Sequence, residues 1–202
     1  MVQSVSSLAQ TQTTTPKATF SNAVVAGHGL VALVTIGGGN KYTVGGVTDT
    51  AGNTWQRAAA GAEPVYDVDV EVWVSHAAKA GSDTVTATLA GTGGWFQANL
   101  TLAEFSTPLT TAGSAAAWSS GTAHSSGAIS GSGASVVVGA YGDAGFATAV
   151  TMADGRSQFG QNASPTVQTE SDQSWGTTSV PAVFNSAAAT DAEVVAAAFK
   201  TI

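Results

Sequence analysis

The sequence predicts an all-β protein, an antiparallel β-sandwich of jelly-roll type in a single domain, and three observations carry that prediction. The 202 residues are 44% apolar but 9% charged, with 24 glycines, against roughly 25% charged in an average globular chain. Threonine and serine supply the missing polarity; with glycine they disfavour helix, whereas threonine and valine suit a pleated surface. Second, the segment from Val65 to Ser75 alternates apolar and polar residues at period two, the pattern of a half-buried strand. Third, short apolar runs recur at regular intervals with glycine-rich clusters between them, the rhythm of sandwich strands. A chain of this length can bury a full core without staples.

Each element follows from its own residues. In 65–75, Tyr66, Val68, Val70, Val72 and Val74 oppose Asp67, Asp69, Glu71 and Trp73, so one face is expected in the core and the other in water. Leu30 to Ile36 is apolar on both faces and is stopped by Gly37-Gly38-Gly39-Asn40, which places it centrally in a sheet. Val44 to Thr48 and Thr54 to Arg57 flank Asp49-Thr50-Ala51-Gly52-Asn53, a turn that predicts a hairpin. Further strands are expected at 84–89, 95–105, 134–141 and 192–200. The last is alanine-rich, yet it has no helical neighbour to pack with. Residues 106–130 and 153–180 read as long connections, weaker edge strands or places of partner contact. Residues 1–19 read as an extended N-terminal arm or a first edge strand, and 20–202 as the sandwich. No fixed-period repeat is visible.

Composition also excludes functions. The six cationic residues are scattered singly and the formal charge is −7, so the clustered lysine and arginine of a nucleic-acid footprint are absent. With no cysteine, disulfides, thiolate catalysis and cysteine-zinc sites are excluded. The opening Met1-Val2-Gln3-Ser4-Val5 lacks the basic start and apolar run of a secretion signal, and no run approaches the roughly 20 apolar residues of a membrane span. The expectation is a chain that folds where it is made, without a membrane partner.

Few residues point to chemistry. His28, His76 and His124 stand far apart and are expected at loops or strand ends, since zinc needs several such donors together. Gly131-Ser132-Gly133 reads as a turn and not as a nucleophile elbow. Asp67, Asp69 and Glu71 could hold a hard cation or form an acid/base pair, but the expectation is a solvated strand face that guards against wrong pairing. Asp49 and Asn53 could ligate calcium, although their turn-forming role already accounts for them. Among Trp55, Trp73, Trp95, Trp118 and Trp175, the first is expected in the core. Trp73, Trp95 and Trp118 are the candidate contacts to a partner or a glycan, because exposed aromatics stack on sugars and anchor interfaces. No catalytic residue, cofactor or resident metal is expected.

The order of these pieces resembles a β-sandwich family of phage virion proteins and bacterial surface or secreted proteins. The resemblance rests on residues 26–34 (Ala-Gly-His-Gly-Leu-Val-Ala-Leu-Val) and on Val47 to Trp55, with its Asp-Thr-Ala-Gly-Asn-Thr-Trp string. It continues through Val72-Trp73-Val74 with residues 80–86, Leu102 to Ser106, and the closing Val195 to Lys200. It covers most of the chain from about residue 20, and after residue 106 the connections are the chain's own. The resemblance implies association with particle or cell surfaces and no enzyme activity. The expected function is a structural virion protein, most readily a capsid decoration protein on the outer surface of the major capsid shell, assembled in the host cytoplasm. The alternatives are a minor tail or fibre protein and a carbohydrate-binding module. The expected partners are the major capsid protein or another virion protein, further copies of the chain with a trimer preferred, and a surface glycan in the module reading. Residues 1–19 would add a strand to a neighbour.

Overall fold

The computed structural model describes residues 1–7, 10–38, 42–129, 133–143, 150–152, 157–163, 168–174 and 181–202, with only the backbone described for 152, 157–163 and 168–174. Among these residues there is no helix. The chain runs through β1 (Gln3–Ser6), β2 (Gln10–Thr11), β3 (Lys17–Thr19), β4 (Gly29–Gly37), β5 (Thr43–Asp49), β6 (Gln56–Glu63), β7 (Val68–Ser75) and β8 (Thr84–Ala90). It continues through β9 (Gln97–Phe105), β10 (Leu109–Ser125), β11 (Val136–Asp143), β12 (Val150–Met152), β13 (Ser157–Ala163), β14 (Gln168–Ser174) and β15 (Val183–Thr201).

These strands form an antiparallel β-sandwich in three layers. A central sheet has the order β1-β9-β4-β7-β6, with β2 also on β9; a small sheet has the order β3-β8-β5; and a C-terminal sheet has the order β10-β15-β11-β14-β13, with β12 on β15. Jelly-roll connectivity is finer than this strand order establishes. The central sheet is covered on both faces. Leu30, Ala32, Val34 and Ile36 of β4 pack with Val44, Val85, Ala87 and Leu89 of the small sheet. On the other face Val31 and Leu33, with Val70, Val72 and Val74 of β7, pack against Val136, Val138, Val195 and Phe199 of the C-terminal sheet. All nine residues of β4 are buried, which is why that strand reads as apolar throughout.

The alanine-rich closing segment is a strand, as expected, because β15 is paired on both sides by β10 and β11. Its alternate side chains enter two different cores. Val195, Ala197 and Phe199 face the central sheet, while Val194, Ala196 and Ala198 pack with Val137, Tyr141 and Phe184 on the far side. Tertiary pairing thus overrides the helical preference of alanine.

One expectation is corrected, and two others resolve among the alternatives the sequence offered. The turn after β5 does not close a hairpin: β5 pairs with β8, and β6 pairs with β7, so residues 50–55 carry the chain from the small sheet to the central one. Within 106–130 the edge-strand reading holds, since 17 of these residues form β10 at the end of the C-terminal sheet. The N-terminal segment takes the edge-strand alternative within its own molecule, with β1 and β2 on β9 and β3 on β8.

Candidate functional site

The end of the sandwich that carries the β4–β5, β6–β7 and β8–β9 connections holds a groove of about 330 Å³ lined by Tyr42, Glu63, Pro64, Asp67, Val68 and Asp69, among others. The β6–β7 turn is shaped by Glu63, whose carboxylate accepts from the Val65 and Tyr66 amides at 2.5 and 2.8 Å. Asp67 closes the turn with φ at +56°, a left-handed conformation that aspartate tolerates better than most side chains. On the opposite wall Tyr42 stacks on Phe96 with ring centroids 4.1 Å apart. Gly91 leaves room for that ring, because a Cβ there would lie 2.5 Å from Tyr42 Cδ1.

The acidic row on β7 is not solvated, and this overturns the sequence expectation for Asp69 and Glu71. Both are buried, at 6% and 1% exposure, because the small sheet lies over the face on which they stand. Glu71 accepts from the Val44 amide at 3.1 Å and the Trp73 indole at 2.8 Å, and the Arg57 guanidinium lies 3.7 Å away. Asp69 Oδ2 is buried and finds no donor. Burial first, then the charge of Glu71 and a hydrogen bond to it, push the Asp69 carboxyl up to about 8; a carboxyl that keeps its proton becomes a donor to its neighbour. On the opposite face of the central sheet, burial and the charge of Glu63 raise Glu193 to about 7. A row of carboxylates guards a strand only if water reaches it, and here the third layer removes the water.

The tryptophans separate. Trp55 is in the core. Trp73 is half-buried against that same core with its indole N–H on Glu71. Trp95, 41% exposed, stands beside Phe96 at the groove end of the molecule. Trp118, 49% exposed, lies far along the chain on β10. The three candidates thus stand on β7, in the β8–β9 connection and on β10, and Trp175 lies outside the described residues.

The Asp49 turn is a knot of hydrogen bonds. Asp49 accepts from the Asn53 amide, the Asn53 side chain and the Trp55 indole at 2.8, 2.8 and 2.7 Å. Asp83, whose carboxyl is raised by burial and by the charge of Asp49, accepts from Thr50 Oγ1 and the Ala51 amide. Asn53 Oδ1 in turn accepts from the Lys79 amide. A cation there would have to displace those donors. Among the described residues no group of three or more His, Asp or Glu side chains is placed to hold a metal.

The histidines are likewise structural in geometry. His28 pairs with buried Glu104 at 2.7 Å. His76 follows β7 and meets the Leu109 carbonyl at 2.7 Å. His124, near the end of β10, is fully enclosed; burial lowers its pKa. Its ring nitrogens meet Ser119 and Ser186, and Tyr141 packs edge-on and donates to Asp143 at 2.7 Å. This is not a nucleophilic triad: the second ring nitrogen meets a serine instead of a carboxylate, and Ser186 donates to the Ala188 carbonyl at 2.7 Å. Gly131 and Ser132 of the expected turn lie outside the described residues.

Sequence reading missed Tyr42, Glu63, Asp83, Glu104 and Glu193. For Glu104 a signal was present, since it is the lone charge of the apolar strand β9, where burial without a role is rare. Comparison with protein families, with curated proteins and with solved structures finds no match for this chain. Fold and site together define the class: an antiparallel β-sandwich whose acids tie loops to sheets.

Proposed function

We propose that the chain is a non-catalytic structural protein of a phage virion, a capsid decoration protein on the outer surface of the major capsid shell, with a minor tail or fibre position as the nearest variant. The observation that carries this reading is the use of carboxylates, most of them buried, as internal ties. Glu104 accepts from Gln3 and the Val25 amide and pairs with His28; Glu63 shapes its own turn, Glu71 joins the small sheet to the central one, and Asp49 with Asp83 fixes the crossover turn. Each tie rigidifies a connection, which suits a plug held at many equivalent positions, where repetition multiplies modest contacts. The sequence resemblance supplies the particle. The test is co-sedimentation of purified protein with capsids lacking it, followed by imaging. Saturable binding and added density on the shell support the proposal; protein that stays in the supernatant, or lies on tails, counts against the decoration assignment.

A second reading is favoured by one feature, the exposed Trp95 at the end of the molecule that carries the Tyr42 and Asp67 groove. Stacking on Trp95 with hydrogen bonds to Asp67 is the chemistry of sugar binding. Glycan-array binding that vanishes in Trp95→Ala while capsid binding persists would establish it.

A further inference from the structure

We infer that β10 is a homotypic interface, through which two copies of this chain pair edge to edge about a two-fold axis at Ala117. Among the described residues β10 is the end strand of the C-terminal sheet and pairs only with β15. An edge strand presents unpaired backbone donors and acceptors to any strand that fits, and proteins usually blunt it with charge, proline or shortness. Across its 17 residues β10 has none of these: it carries no Asp, Glu, Lys, Arg or Pro. By contrast, the edge strands β6, β3 and β5 carry Arg57, Lys17 and Asp49. No residue from 110 to 123 is buried, and Trp118 is 49% exposed in the middle of the run.

The sequence of the strand identifies the occupant. Register shifts at Thr111/Gly113 and Gly121/Ala123 bound a regular stretch from Gly113 to Gly121, which reads Gly-Ser-Ala-Ala-Ala-Trp-Ser-Ser-Gly. Reversed, it nearly matches itself. Pairing two copies antiparallel about Ala117 sets Gly113 against Gly121, Ser114 against Ser120 and Ala115 against Ser119. It also lays each Trp118 beside the small Ala116 of the other copy, an arrangement with room for the indole on the same face. Each chain carries a formal charge of −7, so copies repel in general; a seam without charge lets them approach without like charges directly opposed. The contact is isologous and closes on itself, giving a pair in place of the three-fold assembly expected from the sequence. It depends neither on a capsid nor on a glycan.

The absence of cysteine makes the test direct. In the paired state two Ala117→Cys residues would sit about 5 Å apart, whereas two Thr122→Cys residues would be offset by ten positions, about 33 Å. The full chain with Ala117→Cys should form a covalent dimer with a short bis-maleimide in high yield, and Thr122→Cys should not. Wild-type protein should sediment as a concentration-dependent dimer, and Trp118→Lys should weaken that dimer at least tenfold with an unchanged circular dichroism spectrum. A wild-type chain that stays monomeric at high concentration overturns the inference. So does equal cross-linking at the two positions, which decides the matter even if Trp118→Lys fails to fold.

Discussion

Gly61 on β6 faces Glu193 on β15 across the interface of the two large sheets, so closely that a Cβ on Gly61 would overlap the Glu193 carboxylate. The glycine is there because a buried side chain from the other layer occupies the space a methyl group would need. A second such meeting lies further along the interface, where a Cβ on Gly142 would fall 2.5 Å from Thr35 Cγ2 and 2.7 Å from Val70 Cγ2. Both pairs set the separation of the sheets.

Gly142→Ala should therefore destabilise the protein by about 1–3 kcal/mol, the range for overpacking a filled interior. Denaturant unfolding measures it. No loss of stability would mean the two sheets stand further apart than described.

Val70→Asp places a charge on the same interface at a fully buried position. A loss of about 4 kcal/mol or more is expected. An unchanged melting temperature would show that β7 presents its valines elsewhere.

The Asp69 carboxyl gives a pH signature. Its folded value is raised from 3.8 to about 8, so between those values the folded state holds a proton that the unfolded state has released. Stability must fall as pH rises through this window and level off above it. Glu193, raised from 4.5 to about 7, acts in the same direction. Asp69→Asn should match wild type near pH 4 and exceed it at pH 8, as read from unfolding midpoints across that range. A stability difference between the two that does not change with pH would contradict the buried acid pair.

Asp49→Ala removes the acceptor of the Trp55 indole and of two Asn53 donors. Buried donors left without partners cost about 1–3 kcal/mol. The indole N–H signal of Trp55 in a proton–nitrogen spectrum should shift and exchange faster with solvent. If it stays put, the knot at this crossover does not hold the tryptophan.

The valine alternation on β7 was fully legible, because period two marks a strand face whatever covers it. What covered the other face was not: the same alternation describes a carboxylate in water and one under a third sheet, and only long-range stacking of β5 and β8 buried Glu71. The groove was illegible for a similar reason. Tyr42 and Asp67 come from two connections and Glu63 from the end of β6, and they meet only when β4 to β7 are in register. The knot around Asp49 was half legible, since its turn residues are local, whereas Asp83 arrives from the connection that leads into β8.

From sequence alone came the β class, the central place of Leu30 to Ile36, the strand at the C-terminus and the core position of Trp55. These depend on composition and on local periodicity, which the chain carries in itself. Tertiary structure decided the three-layer stacking, the crossover after Asp49, the burial of Asp69 and Glu71, the docking of β1 and β3, and the bare edge of β10. Those depend on which segments distant in sequence come to lie side by side, and burial and pairing are properties of that arrangement rather than of any single segment.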